Sequence, residues 1–449
     1  MLLAGTERAL LHRLATAQRE GRAPSIAAGV VRGGQLAWSH AIETTTDTQF
    51  RIGSLTKTFV AVLVMRLRDE GRLRLADPLD QHLPDAPARG VTIGQLLTHT
   101  AGLASETPPP WWERTPGDLR PDLADLVDPV PKHPVGWRFH YSNPGFGLLG
   151  AVVEELRGLP WPEVLQLEVL DPLEMTRTSF GPQEPHAQGF AVHPWADAVM
   201  PEAVQETGRM APAGQLWSTV EDLCRFASLL ASGADGVLSA DTVAEMREPR
   251  SAPESDSWES SYGLGVQLYR KPERMLAGHT GSMPGFVCTL WISVDEDVGA
   301  VALANTTAGL AIGALAAELV GIVAEREPRI PELWRPLAEV DGALLELTGP
   351  WFWGPSGYTL RLEADRHFQL VVLSGTGSRN ARFRPADDGT WVGLNGYFAG
   401  ETLRPVRDDA GRLSHLDIGS FVFTREPYDL DAPIPGGVDP DGWGSLRGR

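Results

Sequence analysis

The stretch FRIGSLTKTFVAVLVMRLRDEG, Phe50 to Gly71, sets a lysine one turn into a helix whose other inward positions are Phe59, Val60, Leu63, Val64 and Leu67. The chain has 39 lysines and arginines together, yet only Lys57, Lys132 and Lys271 are lysines. Wherever a permanent positive charge is needed, arginine supplies it. Arginine stays protonated in a protein, whereas a desolvated lysine can lose its proton and act as a base. Ser54 lies three positions before Lys57 and shares its helix face. It falls in the first turn, at the positive end of the helix dipole, and that field lowers the lysine pKa from about 10.4. Neutrality near pH 7 needs a shift of roughly three units, about 4 kcal/mol, which burial among apolar neighbours can supply. The plainer alternative is a serine helix cap beside a lysine that snorkels to solvent.

Working outward, 449 residues exceed one ordinary core and imply two or three domains. A composition 42% hydrophobic and 22% charged is that of a globular protein. The net charge of −19 argues against nucleic acid as a partner, since phosphate binding needs a clustered basic surface. No apolar run reaches the roughly 18 residues of a membrane span. The N-terminal MLLAGTERALLHRLATAQREG is interrupted by Glu7, Arg8, His12 and Arg13, so it reads as an amphipathic helix and not as a signal peptide. The expectation is a cytoplasmic protein with no membrane partner. Cys224 and Cys288 lack any C-x-x-C spacing and read as buried free thiols. The histidines form no metal-ligand motif, so no metal is expected.

Ser25–Glu43 reads as two strands around a Gly-Gly hairpin turn. Helices and Pro-rich loops fill most of residues 76 to 260. The run from Ser218 to Gly233 is a helix, with Ser218 as its cap, Glu221 three residues on and Gly233 just past its end. Strand character returns in YGLGVQLYR, RMLAGHTGS, GFVCTLWISV and GAVALANTT, and Gly309–Glu325 is a buried helix. Strands from both ends with helices between them imply a mixed α/β (α+β) domain, residues 1–325. Residues 326–339 are a proline-punctuated linker. Residues 340–430 carry short strands with Gly/Asp turns, a small all-β, barrel-like domain. Its aromatics, Trp351, Phe352, Trp353, Trp391, Tyr397, Phe398, Phe421 and Phe423, suffice for a core of its own. Residues 431–449 are a Pro/Gly-rich tail.

Two further segments carry chemistry. In GWRFHYSNPGFGLLGAVVEEL, Tyr141 offers a phenol that carries protons if cations hold it partly ionised, and Asn143 offers an amide for a substrate carbonyl. The alternative is a loop whose Asn-Pro pair starts a helix. In AGHTGSMPGF, His279, Thr280 and Gly281 lie on a strand. Gly281 lets a substrate backbone lie against the strand edge, and the Ser282 amide can point at an oxyanion. The alternative there is a turn-rich strand entry with a surface histidine.

Together the three resemble the serine β-lactamase and penicillin-binding protein superfamily, whose signatures are S-x-x-K, then Y-x-N, then a K-T-G-like triad on a strand. LLTHTAGL (Leu96–Leu103) and APAGQLWSTVEDLCRFASLL (Ala211–Leu230) are similar to segments of its class C-like branch, which includes esterases, D-aminopeptidases and D,D-peptidases. The resemblance spans about residues 5 to 325 and implies an antiparallel sheet with flanking helices beside an all-helical region. It also implies a Ser54 acyl-enzyme formed on a small-molecule ester or amide, with no cofactor. Lys57 and Tyr141 share the base role in an order left open, the Ser54 and Ser282 amides form the oxyanion hole, and Asn143, His279 and Thr280 position substrate. Two departures matter. His279 replaces the usual lysine, so the grip on a β-lactam carboxylate is weaker and the bet shifts toward ester or amide hydrolysis. Gln215 stands where relatives carry a second glycine. A non-catalytic recognition module is the competing class, and oligomeric state is left open.

Overall fold

The computed structural model describes residues 2–119, 122–128, 130–251, 259–307, 309–331, 333–339, 341–364, 366–373, 379–386 and 388–427. The chain forms two compact units, Met1–Ile330 and Pro331–Arg449, dividing within the stretch read as a linker. The tail from 431 lies outside the described residues.

In the first unit α1 (Ala4–Glu20) leads into β1 (Ile26–Arg32) and β2 (Gln35–Ile42). Their turn has both glycines at positive φ, +59° at Gly33 and +71° at Gly34, as a tight hairpin with right-twisted strands requires. After α2 (Thr56–Asp69), α3 (Asn143–Arg157) and α4 (Val220–Ser232), the chain returns as β3 (Ser260–Tyr262), β4 (Gln267–Lys271), β5 (Arg274–Met283), β6 (Phe286–Ser293) and β7 (Val298–Ala304). These seven strands form one antiparallel sheet in the order β2-β1-β7-β6-β5-β4-β3. Every residue of β6 and β7 is buried, because both faces of the sheet are covered. On one face α1 and α5 (Ile312–Arg326) pack Leu10, Leu14, Leu315, Leu319 and Val320 against Val30, Ala300 and Ala302. The other face joins Ala27, Val301 and Leu303 to a larger core built on α2, α3 and α4.

One boundary differs from expectation. Thr219, not Ser218, caps α4 by accepting from the Asp222 amide at 3.4 Å. Ser218 is held in a short ladder in which Phe50–Arg51 pairs with Trp217–Ser218, and its hydroxyl bonds Thr178 at 2.8 Å, so the helix starts one residue later. Gly233 ends α4 at φ +76°.

The second unit is an eight-stranded antiparallel meander of β8 (Gly349–Trp353), β9 (Ser356–Leu362), β10 (Phe368–Val372), β11 (Ala381–Pro385), β12 (Trp391–Gly393), β13 (Thr402–Arg407), β14 (Leu413–Ile418) and β15 (Phe421–Phe423). Paired backbone bonds between Phe352 and Thr424, 2.7 and 2.9 Å, bring the last strand back to the first and close a barrel. Trp351, Phe368, Phe383, Trp391, Phe398 and Phe423 fill it.

Candidate active site

Ser54 occupies a single 3-10 turn, Gly53–Leu55, at the entrance to α2. Gly53 has φ +51°, and a Cβ there would come within 2.6 Å of the Ser282 backbone. A Cβ on Gly281 would come within 2.0 Å of the Ile52 carbonyl oxygen. Glycine at both positions lets β5 press directly on the turn that carries Ser54, which sets the Ser282 main chain beside it. Ser282 is exposed there and Ser54 is partly exposed.

Lys57 is fully buried, and its Nζ lies 2.9 Å from Ser54 Oγ and 2.7 Å from the Ala213 carbonyl oxygen. The rings of Tyr141 and Phe146 lie 5.1 and 5.8 Å from Nζ. Burial pulls the Lys57 pKa down to about 7, and the more distant carboxylates of Glu106 and Glu113 keep it from falling further. The amine is therefore about half neutral at pH 7, and the snorkelling alternative is overturned.

The Tyr141 hydroxyl lies beside Ser54, whose influence favours the ionised phenol. Burial pushes the phenol up, and Glu106 and Glu113 push it the same way. The condition for a partly ionised phenol, cations around it, is not met: burial first, and then two nearby carboxylates, keep it protonated. His99, from LLTHTAGL, brackets Tyr141. Its ring sits 4.2 Å from the tyrosine ring, its Nδ1 accepts the Ser142 amide at 3.1 Å, and its carbonyl accepts the His140 amide at 2.7 Å. Burial, then Lys57, keeps His99 neutral.

His279 departs most from expectation. It is buried, donating through Nδ1 to the Thr280 carbonyl and accepting at Nε2 from the Tyr262 hydroxyl at 3.0 Å. Burial, with Lys57 adding repulsion, pulls its pKa down to about 3. Both ring nitrogens are occupied and the ring carries no charge, so it offers a substrate carboxylate neither a cation nor a free donor. It is not a surface histidine either. Tyr262 carries no sequence signal, being brought up from β3 across the sheet. Thr280 is partly exposed, with its amide and hydroxyl both donating to Gln267 Oε1 at 3.0 and 3.1 Å.

Asn143 starts α3 behind the capping Ser142. Its Nδ2 donates to Glu106 Oε1 at 2.8 Å, and its Oδ1 is buried with no protein partner. Glu106 also accepts from Trp112 Nε1 at 2.7 Å, and Glu113 accepts from Trp111 Nε1 at 2.8 Å. These residues belong to a strap, Ser105–Leu119, a Pro-rich loop whose sequence carries no readable code for its contacts. Arg114 ties the strap to Glu202 by two bonds of 2.5 and 2.7 Å, and the Gly117 amide ties it to the Glu206 carbonyl at 2.8 Å. Burial and the neighbouring Glu106 raise the Glu113 pKa.

Gln215, where a glycine was expected, has a bridging role. Its Oε1 accepts from Arg51 at 2.9 Å and from the Thr207 amide and hydroxyl at 3.1 and 2.9 Å. Its side chain therefore shapes the 205–207 loop and partners a buried arginine. Among the described residues no group of three or more His, Cys, Asp or Glu side chains is placed to hold a metal ion. None of the described helices is long and apolar enough to cross a membrane.

Residues 7–325 match the Beta-lactamase family model, and residues 340–425 match a Domain of unknown function (DUF7586). Penicillin-binding protein 4 of Amycolatopsis lactamdurans is 30% identical over 353 residues, covering 71% of this chain and 87% of that protein. Among solved structures, the octameric penicillin-binding protein homologue from Pyrococcus abyssi superposes with a TM-score of 0.63 at 19% identity, covering 93% of this chain and 99% of that one. A D-stereospecific amidohydrolase from Streptomyces sp. superposes with a TM-score of 0.59 at 24% identity, covering 72% and 99%.

Proposed function

The chain belongs to the β-lactamase family, and from that premise we propose that it is a serine hydrolase acting on an acyl group that bears a free ammonium, an amide or ester of an amino acid. The observation that carries this reading is the sign of the groups around Ser54. The strap offers the carboxylates of Glu106 and Glu113, and α3 offers the unpartnered acceptor Asn143 Oδ1. On the strand side His279 is neutral and engaged. A substrate carboxylate would meet two like charges and no cation. An ammonium about 6 Å from one carboxylate gains roughly 3 kcal/mol at an effective dielectric of 20. The likeness to a D-stereospecific amidohydrolase supports the same class.

Neutral Lys57 takes the Ser54 proton as Oγ attacks the carbonyl carbon, and the amides of Ser54 and Ser282 receive the developing oxyanion. Tyr141, protonated and beside Ser54, relays the proton held by Lys57 to the leaving amine or alkoxide. Water then attacks the acyl-enzyme by the reverse relay. The retained Ser54, Lys57 and Tyr141 favour catalysis over a binding-only module.

The test compares D-phenylalanine p-nitroanilide with its N-acetyl counterpart. The free amine should be favoured by about tenfold or more in kcat/KM, the worth of one charge-assisted contact, and Glu106→Gln should erase most of that preference. Equal rates for the two substrates would overturn the ammonium reading while leaving the serine mechanism standing.

A further inference from the structure

In the barrel of the second unit the connections β8–β9, β10–β11, β12–β13 and β14–β15 all fall at one end, because successive strands alternate in direction. Strand ends and turns at that end bring four side chains into a single cluster. The Arg379 guanidinium lies 4.6 Å from the Trp353 ring, 4.8 Å from Tyr397 and 5.2 Å from Phe421. The rings also contact one another, Trp353 with Phe421 at 5.1 Å and Tyr397 with Phe421 at 5.7 Å. Three rings thus converge on one cation.

Unlike Arg382, Arg407 and Arg412, each paired with a carboxylate, Arg379 has no acidic partner among the described residues. Its Nη1 is buried without an acceptor. The next residue is tied to β10, Asn380 Oδ1 accepting the Val372 amide at 2.9 Å. A purely structural peg would be covered by its aromatic walls. Here Tyr397 is 60% exposed and Trp353 36% exposed, so these two walls are not themselves covered.

We propose that this barrel mouth binds a carboxylate-bearing ligand, with Arg379 as its anchor and Trp353 and Tyr397 as the surface on which the ligand's ring or hydrocarbon lies. A guanidinium whose faces are taken by aromatic rings keeps its N–H edge for a planar anion, and a carboxylate matches that edge with two parallel bonds. The mouths of small barrels are common ligand sites, with a few polar groups set in an apolar surround. The site lies wholly within the second unit and is independent of the hydrolase reading.

Calorimetric titration of the full chain with benzoate, and with benzamide as its uncharged counterpart, tests the assignment. Benzoate should bind saturably and benzamide at least about tenfold more weakly. Arg379→Gln should weaken benzoate about tenfold or more, and Arg379→Lys should fall between. Ester hydrolysis should stay unchanged in both, reporting an intact fold. Ser54→Ala should bind benzoate as the wild type does, which separates this site from the cleft of the first unit. No saturable heat with benzoate, wild-type affinity in Arg379→Gln, or binding lost in Ser54→Ala would each overturn the proposal.

Discussion

The floor of the site and the strap beside it are built on opposite principles. The floor, Ser54, Lys57, Tyr141, His99 and His279, is set by α2, β5 and the turns that lead into and out of helices beside them, and contains no carboxylate. Its lysine and both histidines are held toward neutrality by burial. The strap, Glu106 to Arg114, is a loop stretch. Its two carboxylates face the floor, and one arginine clamps it to Glu202. On the proposed reading the difference separates chemistry from recognition: the floor tunes a proton transfer, and the strap sets the charge of the group that approaches.

The largest effects should come from the floor. Lys57→Arg keeps the charge but loses deprotonation, so turnover should fall nearly as far as in Lys57→Ala, by about a thousandfold or more. Activity within about tenfold of wild type would break the contrast by removing the base. The same burial has a stability cost with a defined sign. Because the folded pKa is lowered to about 7, the unfolded chain binds the lysine proton more tightly. The penalty is full below about pH 7 and fades as pH rises toward the free-lysine value of about 10.4. Lys57→Met should therefore stabilise the protein at pH 6 by about 2–4 kcal/mol more than at pH 10 while abolishing activity, as denaturant melts at the two pH values would read. A pH-independent difference would mean that the lysine is ordinarily solvated.

The strap should give a smaller and selective effect. Arg114→Ala removes its clamp on Glu202, a contact partly open to solvent, so KM for the ammonium substrate should rise about three- to tenfold with little change in kcat. A parallel fall in kcat would place the strap in the chemistry and blur the contrast. Smallest of all, Tyr262→Phe takes the donor from His279 Nε2 and should cost no more than about fivefold in kcat/KM, with no new inflection between pH 5 and 8. An inflection near 6.5 would show that burial alone does not keep His279 neutral.

The two regions also differ in how far they could be read from sequence. Ser54 and Lys57 were legible because an apolar helix with one lysine leaves little else for that lysine to do, and the structure brings the two within 2.9 Å. The sheet was legible from its alternating strands and its Gly-Gly turn. The burial and engagement of His279 were not, because they depend on Tyr262, which only strand pairing through β4 brings across to it. Nor was the ionisation of Tyr141, which depends on carboxylates in a segment of no regular period. The strap shows why: Glu106, Glu113 and Arg114 acquire meaning only through contacts with Asn143, Lys57 and Glu202, and loop composition encodes none of these pairings. In the barrel, the aromatics were read as one core, whereas Trp353 and Tyr397 stand at its mouth.

The central claim, that a lysine neutralised by burial activates Ser54, is tested most directly by the rate at which a fluorophosphonate labels the protein as a function of pH. The account predicts a single adduct on Ser54, with a rate that rises about tenfold per pH unit at low pH and levels off above a midpoint near 7. In Lys57→Arg, labelling should be slow at every pH. An adduct on another residue, a flat profile from pH 5 to about 9, or wild-type labelling in Lys57→Arg would contradict it.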